Sequence, residues 1–125
     1  MYTIAVDGRR RLVEVAINGF WTPEVFAAYA ADLQRAIAKI PPSAEGHVTL
    51  ADVSNASIQP QQLVEAFQRF IGRGDRPSRR IALYTDAVLP RMQCKRISGG
   101  NPNVQVFATR EEAEAWLFDD QAAAA

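Results

Sequence analysis

The stretch HVTLADV, residues 47–53, is followed by the polar segment SNASIQP at residues 54–60. A run rich in β-branched and apolar residues, with no acidic residue before Asp52, suits a strand in the interior of a sheet. Beyond the polar segment, Leu63, Phe67 and Phe70 recur at helical spacing, and glycines follow at 72 and 74. Residues 47–71 therefore predict a strand, a loop and a helix of an α/β protein.

The segments on both sides of this unit continue the alternation of strands and helices. Alternating or apolar runs predict further strands at residues 2–7, 11–17, 80–85 and 103–107. Helical periodicity predicts further helices at residues 23–40, at 87–97 and from 110 onward. The order β-β-α-β-α-β-α-β-α predicts an α/β fold with a mixed, mostly parallel sheet and an N-terminal antiparallel hairpin.

Turn and cap residues mark several of these boundaries. Gly8 predicts the hairpin turn between the first two strands. Thr22 is placed as the N-cap of the first long helix, with Pro23 at its first position. Thr109 and Glu112 have the spacing of a capping box, which predicts the start of the last helix.

Length and composition indicate one globular domain. The chain has 125 residues, of which 48% are hydrophobic and 22% charged, as in ordinary folded proteins. We expect the domain to cover residues 1–120 and residues 121–125 to form an alanine-rich tail. The N-terminal residues lack the pattern of a signal peptide, and no apolar run approaches the length of a membrane span. These features predict a cytoplasmic protein without integral membrane association.

Cysteine and histidine content excludes two kinds of site. Cys94 is the single cysteine and His47 the single histidine, so the chain forms no internal disulfide and no Cys/His zinc cluster. We expect no metal and no cofactor. His47 is interpreted as a structural residue at a strand entrance, and Cys94 as a small residue on a helix flank.

Two segments carry a family resemblance. They are the strand and loop around Asp52-Val53-Ser54 and the C-terminal sequence VQVFATREEAEAWL at residues 104–117. Together with the element order, they resemble the STAS domain superfamily and, more narrowly, the SpoIIAA-like branch of uncharacterised bacterial proteins. The resemblance implies a STAS-like fold and a regulatory or interaction module that binds a protein partner or a small anionic or lipid-like ligand.

STAS anti-sigma antagonists are switched by phosphorylation of a serine at the start of the helix after this strand. Asp52 and Ser54 match the Asp-x-Ser part of that motif, but residues 59–62 are Gln-Pro-Gln-Gln where the acceptor serine and its glycine would lie. Ser54 and Ser57 are the nearby hydroxyls and hence the candidates for phosphorylation. The alternative is that both form turn hydrogen bonds.

Polar residues follow two strands that are predicted to be neighbours. Because ligands collect beyond the carboxyl ends of parallel strands, near a reversal of strand order, we predict a ligand site there. Its residues are Asp52, Ser54, Asn55, Thr85, Asp86 and Arg91. Two alternatives remain: Asp52 and Asp86 act as an acid/base pair of a small hydrolase or transferase, or Asp52 binds loop amides and Asp86 caps the third helix.

Phe20 and Trp21 precede the first helix. They predict either an exposed aromatic pair that lines a pocket or partner surface, or a hydrophobic staple in which Trp21 packs onto the turn that holds Phe26. The staple is the favoured interpretation.

Charge is balanced overall, with 14 basic and 14 acidic residues, but it is unevenly distributed. Residues 69–96 hold eight basic residues against two aspartates, a net charge of +6, and residues 110–120 hold one arginine against five acidic residues, −4. Aromatic residues do not alternate with the cations as in a nucleic-acid binder, so we expect no nucleic-acid partner. We predict a non-catalytic binding module, with a self-associating homodimer joined by these two segments as a further alternative.

Overall fold

The computed structural model describes residues 1–71, 74 and 76–119. Its elements follow the predicted order, β-β-α-β-α-β-α-β-α. They are β1 (Tyr2–Asp7), β2 (Leu12–Ile17), α1 (Pro23–Ala38), β3 (Val48–Asp52), α2 (Gln61–Phe70), β4 (Arg80–Tyr84), α3 (Val88–Ser98), β5 (Val104–Phe107) and α4 (Arg110–Leu117). Gly72 and Arg73 of the predicted end of α2, Asp75, Asp120 and the alanine tail lie outside the described residues.

The five strands form one sheet in the order β1-β2-β3-β4-β5. β1 and β2 are antiparallel, and the remaining neighbours are parallel. Each crossover therefore advances by one strand in the same direction, and α1, α2 and α3 pack on one face of the sheet while α4 packs on the other. The described sheet has no reversal of strand order, which corrects the expectation of a ligand crevice at such a point.

The helix starts at Thr22 and Thr109 are confirmed. The Thr22 hydroxyl accepts a hydrogen bond from the Val25 amide at 3.2 Å, and the Thr109 hydroxyl accepts one from the Glu112 amide at 3.2 Å. The prediction that Asp86 caps α3 is wrong. Ala87 is the N-cap residue and provides no side-chain hydrogen bond, while the Thr85 hydroxyl accepts from the Ala87 amide.

The hairpin turn differs from its prediction in one respect. The turn covers Gly8 to Arg11, but the left-handed backbone conformation belongs to Arg11, with φ of 51°, and Gly8 has none. Arg11 is held there because its guanidinium donates to the carbonyls of Gly46 and Pro41. The predicted second strand consequently begins at Leu12 instead of residue 11.

Two apolar layers enclose the sheet. The larger one lies between the sheet and α1–α3. At the side where the parallel strands end, called the carboxyl edge from here on, Trp21 packs against Tyr29 and Phe67, with ring centroids 5.1 and 5.5 Å away. Trp21 is fully buried and Phe20 is 57% exposed, so the two do not form an exposed pair. The smaller layer joins the sheet to Ala113 and Leu117 of α4.

The charged residues of α4 pair mainly with the hairpin. Glu114 accepts from Arg110 at 3.0 Å and lies 3.7 Å from Arg10, while Arg110 also pairs with Glu14. From the basic segment, Arg80 stacks on Trp116 at 5.0 Å and donates to backbone carbonyls at the end of α4. A homodimer joined by the basic segment of residues 69–96 and the acidic segment of residues 110–120 stays a prediction.

Candidate functional site

A cavity of about 590 Å³ lies between the sheet and the three helices α1–α3. This volume falls within the range of small-molecule binding sites in proteins, roughly 300–1,000 Å³. β2, β3 and β4 form its floor and the three helices its walls and roof. Its apolar lining includes Val15, Leu33, Ala51, Phe67, Leu83 and Ile97.

Small side chains explain why the layer is open at its centre. Ala51 lies within β3, and the strand register places it between Val15 and Leu83. All three side chains face the cavity, and the short side chain of Ala51 leaves the space above it unfilled. Cys94 of α3 is a second small residue in the lining. Protein interiors are otherwise close-packed, so a space of this size at the centre of the larger layer is a distinctive feature.

A buried pair of glutamines closes the carboxyl-edge end of the cavity. The Gln59 amide donates to Gln93 Oε1 at 2.9 Å, and Gln93 Nε2 donates to the Gln59 carbonyl at 2.9 Å. Gln59 Oε1 accepts from the Trp21 amide at 2.8 Å, and its Nε2 donates to the Gly19 and Ser57 carbonyls. The hydrogen-bonding groups of Gln59 are thus used internally, and it acts as a structural residue at the position where the STAS motif would place the phosphoacceptor.

The opposite end of the cavity lies where β3 and β4 begin, called the amino edge from here on, and its lining is polar and charged. Arg69 and Arg76 are the two charged residues among the described lining. Arg76 Nη1 donates to the Ile37 carbonyl at 3.1 Å. Nearby, the Thr49 and Ser78 hydroxyls form a hydrogen bond of 2.6 Å. This end therefore combines positive charge with hydroxyl groups.

Two titratable groups of the lining, Cys94 and Tyr29, are held in their neutral forms. Burial raises the pKa of the Cys94 thiol to about 11, so the thiol is protonated at neutral pH and is a poor nucleophile. Burial also raises the pKa of the Tyr29 phenol, which lines the same space. The described lining includes no carboxylate and no histidine.

Asp52 lies on the other face of the sheet. With Tyr84 and Arg110 it borders a smaller cleft of about 210 Å³ beside α4. Asp52 Oδ1 accepts from the Ser54 amide at 2.9 Å, as the loop-amide interpretation predicted. The pKa of Tyr84 is raised, chiefly by burial. Alternation along β3 thus separates Asp52 from the cavity, which Ala51 and Val53 face instead.

The other residues predicted to bind a ligand lie around the carboxyl ends of β3 and β4, outside the lining of the cavity. Ser54, Asn55 and Asp86 are exposed, whereas Thr85 is fully buried and uses its hydroxyl to bind the Ala87 amide. Arg91 Nη2 is 3.5 Å from the Asp86 carbonyl. Of the two phosphorylation candidates, Ser57 lies on the cavity rim and Ser54 does not. Ligand binding by the strand-end residues and phosphorylation of either serine stay predictions.

His47 lies just before β3, at the amino edge. It is 2% exposed, and its Nε2 has no hydrogen-bond partner among the described residues. Burial, followed by the charges of Arg76 and Arg11, lowers the pKa of its imidazole. His47 is accordingly a neutral buried side chain at neutral pH.

Comparison with solved structures identifies the fold. An uncharacterised protein of the DUF3478 family with a SpoIIAA-like fold, from Shewanella loihica PV-4, superposes with a TM-score of 0.68 and covers 93% of each chain at 16% sequence identity. The fold is SpoIIAA-like. No family model matches the sequence, and no curated protein matches it significantly. The recognised resemblance is confirmed at the level of the fold.

Two further properties concern the described part of the chain. Within residues 1–71, 74 and 76–119, no helix is long and apolar enough to cross a membrane. The same residues contain no group of three or more His, Cys, Asp or Glu side chains positioned to hold a metal ion.

Sequence patterns give little indication of the cavity in this SpoIIAA-like fold. Its lining comes from β2 to α3, and residues that meet across it are far apart in the chain, such as Ala51 and Cys94. The available signals were small or polar residues at core-facing positions: Ala51 and Thr49 in the buried strand β3, and Gln93 within α3.

Proposed function

We propose that this SpoIIAA-like module binds a chain-like apolar ligand in the cavity between the sheet and α1–α3. The observation that carries the proposal is the cavity itself, about 590 Å³ in volume and lined mainly by apolar side chains. Contact between water and apolar side chains is unfavourable. An alkyl chain bound here would remove both its own apolar surface and that of the lining from water. The proposal keeps the lipid-like ligand that the family resemblance implied and places it in the cavity.

Binding without catalysis fits the chemistry of the lining. The Cys94 thiol has a pKa of about 11 and the described lining has no carboxylate or imidazole to activate it. For the alternative hydrolase or transferase, Asp52 and Asp86 would have to act together. Asp52 faces the α4 side of the sheet, and Asp86 lies outside both clefts. The geometry therefore favours a binding module.

Calorimetric titration with neutral 1-alkanols of six, eight and ten carbons tests the proposal. Each buried methylene contributes about 0.8 kcal/mol, so we expect affinity to rise about fourfold per added carbon while the chain still fits. Ala51→Phe should abolish the heat of binding, because a ring at position 51 occupies the centre of the floor. As a matched control, Ala82→Val enlarges a buried alanine beneath α4, outside the cavity lining, and should leave the affinities unchanged. No binding of any alkanol, or equal binding to Ala51→Phe, would overturn the proposal.

A second candidate function, recognition of a protein partner, is favoured by an exposed apolar surface at the carboxyl edge. Its residues are exposed apolar side chains in the loops and the helix start that follow β2, β3 and β4: Phe20, Ile58, Val88, Leu89 and Met92. The loop that carries Ile58 is fixed beside α3 by the bonds between Gln59 and Gln93. A partner captured by the wild-type protein should be lost with Met92→Glu and kept with Gln105→Glu, a change on the exposed part of β5. Equal capture by both variants would remove this surface from consideration.

A further inference from the structure

We propose that the ligand carries an anionic head group, carboxylate or phosphate, held at the amino edge of the sheet by Arg69, Arg76 and the Ser78 hydroxyl. The inference rests on the proposed function and names the chemistry of the ligand's polar end. It also fixes the ligand's direction, with the head near the amino ends of β3 and β4 and the chain pointing towards the carboxyl edge.

The charge of the lining supports an anion. Arg69 and Arg76 are its charged members among the described residues, and no acidic side chain of that set lines the cavity. The ion pairs between described residues involve other arginines, namely Arg10, Arg35 and Arg110. Arg69 and Arg76 take part in no ion pair with another described residue, and an anionic ligand would supply the counter-charge.

Arg76 is held in place for this role. Its Nη1 donates to the Ile37 carbonyl at 3.1 Å, which ties the guanidinium to the last turn of α1. A guanidinium has five N–H donors in a planar fork, so one bond to Ile37 leaves donors available for an anion. Arg69 lies in the last turn of α2, on the neighbouring wall, with an exposed side chain. The two arginines belong to segments that border the same end of the cavity.

The hydroxyl pair supplies a further donor. Thr49 and Ser78 are 2.6 Å apart and share one hydrogen bond, in which either oxygen can be the donor. Two hydroxyls carry two protons, and their mutual bond uses one of them. The second proton is therefore free to be donated to an oxyanion. Both residues line the cavity.

The opposite end cannot play this part. The side-chain amides of Gln59 and Gln93 both bond to backbone groups, and that of Gln93 bonds to the backbone of Gln59. That end presents no charged side chain among the described lining residues. An anion placed there would lose its hydration without gaining a counter-charge. The charged and hydroxyl groups at the amino edge therefore make that end the place for the head group.

Calorimetric titration at pH 7.5 with four ligands that share a linear chain of ten carbons tests the inference: 1-decanol, decanoate, decyl phosphate and decyltrimethylammonium. Charge-assisted hydrogen bonds contribute about 1.5–3 kcal/mol, so at least one of the two anions should bind about tenfold or more tightly than decanol, and the cation most weakly. The tighter anion identifies the head group as carboxylate or phosphate. Arg69→Gln and Arg76→Gln should each weaken the anion about tenfold and change the affinity for decanol less than twofold.

Arg96→Gln is the matched control, because it removes a cation of α3 that does not line the cavity, and it should leave every affinity unchanged. Equal affinity for decanol and both anions would overturn the head-group inference while the proposed function stands. The head-group inference also fails if Arg69→Gln and Arg96→Gln act alike on anion binding. If none of the four ligands binds, the proposed function fails as well.

Discussion

Replacing Ala51 with leucine tests whether the space between the sheet and α1–α3 is a true cavity. Ala51 is 2% exposed, and its neighbours across the sheet are Val15 and Leu83. In a close-packed core, a larger side chain at such a position forces its neighbours apart and typically costs about 1–3 kcal/mol. Above a cavity, the same side chain has room. The sign of the change in unfolding free energy therefore distinguishes the two situations.

The expected magnitude follows from the added atoms. Leucine adds three carbons to alanine, and at about 0.8 kcal/mol for each buried methylene they contribute about 2.4 kcal/mol. Fixing the leucine rotamer costs roughly 0.5–1 kcal/mol. We expect Ala51→Leu to raise the free energy of unfolding by about 1.5 kcal/mol, measured by urea denaturation followed by far-ultraviolet circular dichroism.

Ala82→Leu is the matched control for this measurement. Ala82 is fully buried in β4, one strand away, but it faces α4 and packs in the smaller layer with Leu50 and Leu117. We expect this variant to lose about 1–3 kcal/mol, the usual cost of overpacking. If Ala51→Leu destabilises the domain as much as Ala82→Leu does, the interpretation of this space as a cavity is refuted.

Three further predictions concern the surroundings of the cavity. Because burial holds the pKa of His47 below its usual 6.5, the unfolded chain takes up the proton first. The free energy of unfolding should then fall as pH drops below about 6.5, by at most about 1.4 kcal/mol per pH unit. Urea denaturation at pH 7.5 and 5.5 measures this loss, which should be smaller in His47→Gln than in the wild type. Cys94 should react slowly with a thiol reagent, and more slowly still when decanol is bound. Equal reaction rates with and without decanol would contradict the place of Cys94 in the lining. Gln93→Ala should cost about 2–4 kcal/mol in urea denaturation, since it leaves the Gln59 backbone unpaired, whereas exposed Gln105→Ala should cost under about 0.5 kcal/mol.

The order of the elements was predictable because local signals determine it. Thr22 with Pro23, and Thr109 with Glu112, satisfy the first amides of α1 and α4 within a few residues of chain. Gly99 adopts the left-handed conformation that ends α3, with φ of 58°. Such signals depend on short-range geometry alone, and a sequence displays them directly.

Long-range contacts account for the predictions that were wrong. Arg11 adopts a positive φ that usually favours glycine, and its bonds to Gly46 and Pro41, 35 and 30 residues away, hold it there. Asp86 does not cap α3, because the buried Thr85 hydroxyl takes the Ala87 amide instead. In both cases a distant or buried partner overrides the local preference of the residue.

The candidate site was the least predictable feature. The rule that ligands lie at carboxyl strand ends directed attention to Ser54 and Thr85, and it presupposes a reversal of strand order that this described sheet does not have. The cavity depends on how the helices pack over the sheet, which brings residues far apart in the chain, such as Ala51 and Cys94, into one lining. No local pattern in the sequence displays that packing.

Direct detection of the ligand's contacts is the most decisive test of binding in the cavity. In a nuclear magnetic resonance experiment with methyl-labelled protein and 1-decanol, we expect intermolecular Overhauser effects from the alkyl chain to the methyl groups of Leu83, Ile81 and Ile97, which line the cavity. Effects confined to Leu50 and Leu117, in the layer between the sheet and α4, or to the exposed Met92, would contradict binding between the sheet and α1–α3.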